Sequence, residues 1–410
     1  MATDAASPAR LTIWSQVRAL TASPMAPYYF IAASVAVLAG LGTLMVLSAS
    51  SVLAMYSGLD PYYYVTRQVL FLGVGLVFAV VFSRINADFI RRLGWPAWML
   101  AVALLVLVLT PLGVSGGGNL NWLALGPVQF QPSEFAKLAL IVWCGTVFHM
   151  KRGRLHEPAQ LAIPLIPLGG LILALVLAGR DLGTGLVIGL ILVLIMWFIG
   201  TPLRVMVPLG TAAAALVALL VYGSGNRMSR IAIFLDPQSN TDLSAQPMSA
   251  LYALASGGWW GLGLGASRQK YGGLKDGAHT DYIFAVIGEE LGLFGVLLVI
   301  ALFGLLGWAG LAVAMRSDKM FNKVVAAGIT GWFLTQAVIN IFVVMHLLPV
   351  LGVPLPFVSS GGSALMASLM ATGVLLALAR DTPTARAYLA ARKDKSRPRM
   401  TSVMAATKED

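Results

Sequence analysis

The chain is poor in charge. Asp, Glu, Lys and Arg make up 11% of its 410 residues, under half the roughly 25% usual for a soluble domain. Cysteine is nearly absent. Cys144 stands alone, which excludes an intrachain disulfide. The four histidines are scattered with no metal-ligand spacing. No Walker motif, haem attachment site, G-x-S-x-G elbow or paired-cysteine metal site occurs, so no nucleotide energy source is encoded. What is abundant is apolar: 58% of residues are hydrophobic and the mean hydropathy is +0.82. These figures exclude a disordered, collagen-like or disulfide-stapled protein. A soluble chain of this length would form two or three domains. In lipid it predicts one polytopic bundle of about ten helices, each about 20 residues long.

Ten apolar runs fit that count: 28–48, 65–83, 94–112, 133–150, 160–178, 183–200, 205–222, 282–314, 324–347 and 363–379. The eighth exceeds one span, which predicts tilt or a start outside the membrane. The first run is longer than a signal-peptide core and its leader is long, which predicts a retained helix. The fold class is therefore an all-α polytopic membrane protein. Its parts are an N-terminal tail (1–27), a ten-helix membrane domain (28–379) and a basic C-terminal tail (380–410). One long loop (223–281) precedes the eighth helix.

The net charge is +11, and its placement matters more than its sum. Twenty of the 28 Lys and Arg residues fall in the tails and in loops on one side. They include Arg84, Arg91, Arg92, Arg316, Lys319 and the cluster from Arg380 to Lys408. The positive-inside rule makes that side, with both termini, cytoplasmic. The tail from Arg380 is expected to be flexible, a solvated topogenic segment or one held loosely to anionic lipid or a cytoplasmic partner. This placement also argues against nucleic acid as the partner of the positive charge. The remaining eight, Arg67, Lys137, Arg180, Arg227, Arg230, Arg268, Lys270 and Lys275, fall on the outer side. Most acids join them: Glu134, Asp181, Asp236, Asp242, Asp276, Asp281, Glu289 and Glu290. Charges at span ends are expensive and face a cavity or a partner, which predicts a polar cavity at the outer face.

Several segments carry candidate chemistry. In Gln131–Lys137, Pro132 suits a first helical turn, and Glu134 and Lys137 share a face. They form either an ion pair within the helix or a site for an anionic partner. Arg180-Asp181-Leu182-Gly183-Thr184 is a tight hairpin, held by its own ion pair or presenting its charges to a ligand. Arg227 and Arg230 open the long loop. Trp259 and Trp260, flanked by glycines, suit an interfacial or re-entrant piece. Asp281 lies where the long loop enters the eighth span. A carboxylate at the lip of an apolar cavity can act as a general base; the alternative is a helix N-terminal charge. His279 is a ligand or relay candidate, and Glu289 and Glu290 follow two turns after Asp281. The Pro349–Ser363 connection is Pro-rich, then Gly/Ser-rich, with hydroxyls at Ser359 and Ser363. At membrane depth it must pack against protein or line a cavity.

Together these segments resemble the SEDS family (shape, elongation, division, sporulation) of peptidoglycan glycosyltransferases. The resemblance covers about 28–380. Gln131–Lys137 with Leu138 is similar to the family's Q-P-S-E-x-x-K-L segment. Asp181–Thr184 is similar to D-x-G-T, and Arg230–Pro237 to R-x-x-x-F-x-D-P. His279–Phe284 resembles H-T-D-F-I-F, and Gly288–Gly292 resembles G-E-E-L-G. Pro354–Phe357 and Gly361–Ser363 resemble the closing motif. The departures are local: Arg180 replaces a usual proline, Lys275-Asp276-Gly277 a Pro-Glu, Leu351 a threonine and Ser360 a tyrosine.

The resemblance implies polymerisation of lipid II into glycan strands at the outer face of the bacterial plasma membrane. Asp281 would be the general base for the acceptor 4-hydroxyl. Lys137, Glu134, Arg180, Asp181, Arg227, Arg230, His279, Glu290, Ser359 and Ser363 would contact substrate, the cations steadying the departing undecaprenyl pyrophosphate. A Lys137–Asp281 pair would lower the carboxylate pKa and burial would raise it. The resemblance leaves room for a divalent cation, Mg or Mn, at the pyrophosphate, with no ligand set visible in the sequence. The implied partners are a class B penicillin-binding protein, other division proteins and membrane lipid. The N-terminal extension and basic tail favour the division-type (FtsW-like) branch over the elongation-type (RodA-like) one, hence the septum. A lipid II flippase is the alternative reading, although a flippase needs polar residues along its whole path and here they gather on the outer half.

Overall fold

In the computed structural model the chain is described for residues 22–116, 118–126, 128–154, 165–238, 241–274 and 277–395. The expected N-terminal tail, the start of the fifth run and the departure at Lys275 and Asp276 therefore fall largely outside the described residues. Each of the ten apolar runs contains a helix. In chain order these are α1 (Ala26–Tyr56), α2 (Tyr63–Arg84), the short α3 (Ala87–Arg92) and α4 (Gly94–Val108). Next come α5 (Pro132–Met150), a π-helical turn at Leu165–Gly169 continued by α6 (Gly170–Ala178), α7 (Leu182–Phe198) and α8 (Leu203–Tyr222). The later helices are α9 (Gly225–Leu235), α10 (Thr241–Ser256), α11 (Ile283–Arg316), α12 (Met320–Val344), α13 (Gly362–Arg380) and α14 (Pro383–Lys395).

Six of these helices are long and apolar enough to cross a membrane: α1, α2, α8, α11, α12 and α13. Others, such as α4 and α7, are apolar but shorter. The chain is thus an integral membrane protein, mostly helical. Small residues bring its helices close, as packing in lipid requires. At Gly373 of α13, a Cβ would lie 2.5 Å from the Ala79 carbonyl oxygen of α2. α12 lies at the centre: Trp332, Phe333, Gln336 and Asn340 are all buried.

Two expectations need correction. The 223–281 segment is not an open loop: α9 and α10 occupy much of it, and Gln269–Tyr271 adds a 3-10 turn. The C-terminal tail is helical and packed over the part described, Pro383–Lys395. α14 folds back, with Ala385 fully buried and Arg386 bonded to Asp318 at 2.6 Å.

The long eighth run is broken rather than merely tilted. Gly292 sits at φ 67°, ψ −163° inside α11. The break frees backbone groups, and the glycine-rich Gly257–Gly263 segment satisfies them. Leu262 and Gly263 donate to the Glu289 and Glu290 carbonyls at 2.9 and 3.0 Å, and Leu293 donates to Gly258 at 2.9 Å. Gly261, at φ 78°, must be glycine because a Cβ would sit 2.1 Å from the Glu290 oxygen. The glycine run near the tryptophans is a re-entrant complement to a helix break, and the Trp260 ring covers Phe294 at 4.8 Å.

A small antiparallel sheet lies beside the site: β1 (Gly113–Gly116), β2 (Asn119–Leu125) and β3 (Val128–Phe130), in that order. Val114 pairs with Trp122, and Leu123 with Phe130. Leu120 donates to the Gly179 carbonyl at 2.9 Å, which ties the sheet to the α6–α7 hairpin.

Candidate active site

The site lies at the end of the bundle opposite the Arg- and Lys-rich one. Its centre is Asp281, two residues before α11. Burial pushes its carboxyl above the ordinary carboxylate range, and the Arg230 guanidinium opposes that rise. The residue is half-buried rather than sealed in the core. Beside it runs the Pro349–Ser363 connection. A Cβ at Gly352 would lie 3.9 Å from Asp281 Oδ2.

Three residues, Ser359, Ser360 and Asn340, staple that connection to the His279–Asp281 turn. The Ser359 hydroxyl donates to the Thr280 carbonyl at 2.7 Å while accepting from Leu355 N at 2.8 Å. Ser360 N donates to the His279 carbonyl at 2.9 Å. The Asn340 amide of α12 donates to both Asp281 O at 2.9 Å and Val353 O at 2.8 Å. His279 is buried, with its ring 4.9 Å from that of Tyr64.

On the other side of Val350 and Leu351 opens a cavity of about 300 Å³. It is lined by Arg180, Arg227, Arg230, Asn119 and Asn226 over an apolar floor. Arg227 is held there by bonds to Leu220 O and Arg180 O, both 2.9 Å, and Arg230 donates to Val350 O at 3.2 Å. Arg180 has φ 63°, a left-handed conformation that proline cannot adopt. The usual family residue is therefore incompatible with the backbone seen at this point.

Not all the expected site residues converge. Lys137 does not pair with Asp281. Its ammonium bonds Glu134 at 2.8 Å and Gln336 at 3.1 Å, and lies 4.7 Å over the Trp332 ring. It reaches the site indirectly, since Gln336 donates to Pro354 O at 2.9 Å. Asp181 caps α7: it accepts from Thr184 N and Oγ1, Asn121 Nδ2 and Gln131 Nε2. Four donors occupy it within the protein. Ser363 accepts from Gln131 N at 3.0 Å.

Glu290 belongs to a separate buried cluster. It bonds Lys270 at 2.9 Å and Ser48 at 2.7 Å, while Glu289 takes Ser267 Oγ and the Arg268 amide. The two acids anchor the chain that follows the re-entrant segment. Gln336, Asn340 and Gly352 escaped the sequence reading. The signal for the first two was present: polar residues four apart, on one face of an apolar span. Among the described residues no three His, Cys, Asp or Glu side chains converge on a metal position. The positive charge lining the cavity is guanidinium.

An integral membrane bundle thus sets a desolvated carboxyl beside an arginine-lined cavity. The chain belongs to the FtsW/RodA/SpoVE family of cell cycle proteins, whose model matches residues 29–384. It is 36% identical over 373 residues to the probable peptidoglycan glycosyltransferase FtsW of Mycobacterium tuberculosis, covering 90% of this chain and 71% of that protein. Among solved structures, it matches a chain from work on coordination of polymerization and crosslinking by a peptidoglycan synthase complex. That match has TM-score 0.73 and 29% identity, covering 86% of this chain and 97% of the other. The rod shape determining protein RodA of Thermus thermophilus matches with TM-score 0.64 and 28% identity, over 88% and 98% of the two chains.

Proposed function

We propose that this chain is a peptidoglycan glycosyltransferase that polymerises lipid II, with Asp281 as general base. The observation that carries the reading is the half-buried Asp281, its carboxyl desolvated, next to the cavity of Arg180, Arg227 and Arg230. The names of the relatives supply the reaction class. In the reaction, Asp281 takes the proton of the acceptor 4-hydroxyl. That oxygen bonds the anomeric carbon of the donor with inversion. The bond from that carbon to the phosphate oxygen breaks, and undecaprenyl pyrophosphate leaves with the electron pair. Guanidinium groups stabilise the charge that develops on the leaving group.

The sorting of basic residues supports both termini in the cytoplasm and Asp281 outside, and the ten apolar runs support ten spans. The names of the relatives in sequence favour the division branch, hence the septum. A class B penicillin-binding protein is the expected partner, on the analogy of the synthase complex that the fold matches. The test is reconstitution of the purified chain, with its transpeptidase, on lipid II. Wild type should make glycan polymer and folded Asp281→Asn none. Equal polymer from both would sink the base assignment, and lipid movement without polymer would favour a flippase.

A further inference from the structure

A second cleft, of about 210 Å³, lies at the basic end of the bundle, far from Asp281. Its lining includes Ser83, Arg84, Asn86, Arg380, Asp381 and Leu389. Arg380 is fixed there by a 3.0 Å bond from Nη1 to the Ser83 carbonyl and shares the cleft lining with Arg84. The one acid in the wall is already neutralised. Asp381 accepts from Lys319 at 3.1 Å and Asn322 at 2.8 Å, and Arg386 lies 3.7 Å away. Arg84 itself is exposed and forms no ion pair among the described residues. The cleft thus presents two guanidinium groups with no protein anion to answer them.

The surface leading into the cleft is apolar. Val77, Val80 and Val81 stand seven, four and three residues before Arg84, on the same face of α2. They are 63%, 57% and 48% exposed. An apolar strip that ends in paired guanidinium groups matches an amphiphile with hydrocarbon tails and an anionic head. The wall away from α2 is Leu389 of α14. That helix is held by Arg386, bonded to Asp318 at 2.6 Å.

We propose that the Arg84–Arg380 cleft binds the phosphate of an anionic phospholipid. The acyl chains lie along the Val77–Val81 face of α2, and α14 closes the headgroup from the side. Direct hydrogen bonds from guanidinium to phosphate make the site one of geometry as well as charge. The role given to the C-terminal helix is local: it completes a lipid site instead of trailing on the membrane surface.

The test uses the full chain in mild detergent, exchanged against phosphatidylglycerol or phosphatidylethanolamine and read by native mass spectrometry. Wild type should retain one phosphatidylglycerol and far less phosphatidylethanolamine. Arg84→Gln should lower retention about fivefold, the size of effect of one basic side chain near an anionic surface. Leu389→Trp, which fills the cleft and leaves both arginines, should lower it as well. Arg84 is exposed, so its variant should melt with wild type, and this arm decides if Leu389→Trp is unstable. Equal retention by Arg84→Gln, or equal retention of the two lipids, overturns the proposal. Displacement of the lipid by inorganic phosphate would overturn it in favour of a free-anion site.

Discussion

Asn340 joins Asp281 to the loop that faces it. One side-chain amide nitrogen donates both hydrogens, to the carbonyls of Asp281 at 2.9 Å and Val353 at 2.8 Å. The residue is 1% exposed, so water cannot replace these bonds. Asn340→Leu keeps the volume and removes both. A buried carbonyl and a part-buried one lose their donor, at a cost of up to about 1–3 kcal/mol each, and the carboxyl loses its register. A misplacement of about 1 Å can lower turnover about 100-fold. In a lipid II polymerisation assay the variant should show that fall in kcat with KM within a few-fold. Wild-type kcat in a variant of lowered Tm would assign Asn340 to stability alone.

The pH dependence of turnover follows from the same carboxyl. Asp281 must be ionised to accept a proton, so activity rises with pH through its pKa. Burial raises that pKa, so the acid limb should lie above the ordinary Asp value of about 3.9. Arg230 opposes the rise, so Arg230→Gln should move the limb further up, while Arg230→Lys should hold it near wild type. A downward move in Arg230→Gln would contradict the electrostatic assignment. The sign for stability is the reverse of the usual Asp case. A raised folded-state pKa gives stability that is full below the unfolded pKa and lost as pH rises through the folded one. Asp281→Asn removes that loss. It should be inactive, yet melt above wild type at neutral pH.

Arg180 separates backbone from side chain. Its φ of 63° is one that glycine adopts freely. Arg180→Gly should therefore keep the hairpin and the carbonyl that Arg227 grips, while removing one guanidinium from the cavity. Turnover should fall about tenfold, less than the 100-fold or more seen for a donor in a water-excluded site. Arg180→Pro imposes a φ near −65° and should lower the yield of folded protein, as measured by size-exclusion chromatography. Full turnover in Arg180→Gly would remove this side chain from the substrate path.

The fold was legible to the extent that burial in lipid is written in composition. All ten apolar runs hold helices, because a long uncharged run has few alternatives in a bilayer. The break in α11 was not legible. Gly292 reads as one glycine in an apolar run, and its meaning lies in the Gly257–Gly263 backbone that fills the gap. At the candidate site, Asp281 and the three arginines were legible as candidates because charge near an apolar span stands out, and the arginines line one cavity. Asp181 and Glu290 stood out equally, yet their partners lie tens to hundreds of residues away. Asn121 and Gln131 hold Asp181, and Ser48 and Lys270 hold Glu290. A charge count cannot separate a carboxylate paired within the fold from one aimed at substrate. Asn340 and Gln336 were missed for the opposite reason: neutral amides do not register as charge, although a buried amide needs partners as a charge does.

The Glu290–Lys270 pair gives a measurement that separates those two kinds of carboxylate. Glu290 is fully buried and Lys270 nearly so. Removing one partner strands the other, at a cost of about 3–5 kcal/mol. Lys270→Met should therefore lower Tm sharply, because Glu290 keeps only Ser48 and the Ser267 amide. The double variant Lys270→Met with Glu290→Leu strands no charge and should recover much of the loss, since apolar replacement of a whole buried pair is often neutral. If the pair only anchors the re-entrant segment, the double variant should polymerise lipid II within a few-fold of wild type once folded. If Glu290 contacts substrate, Tm will recover and turnover will not. Thermal unfolding in detergent and polymer yield, measured on the same preparations, decide between the two.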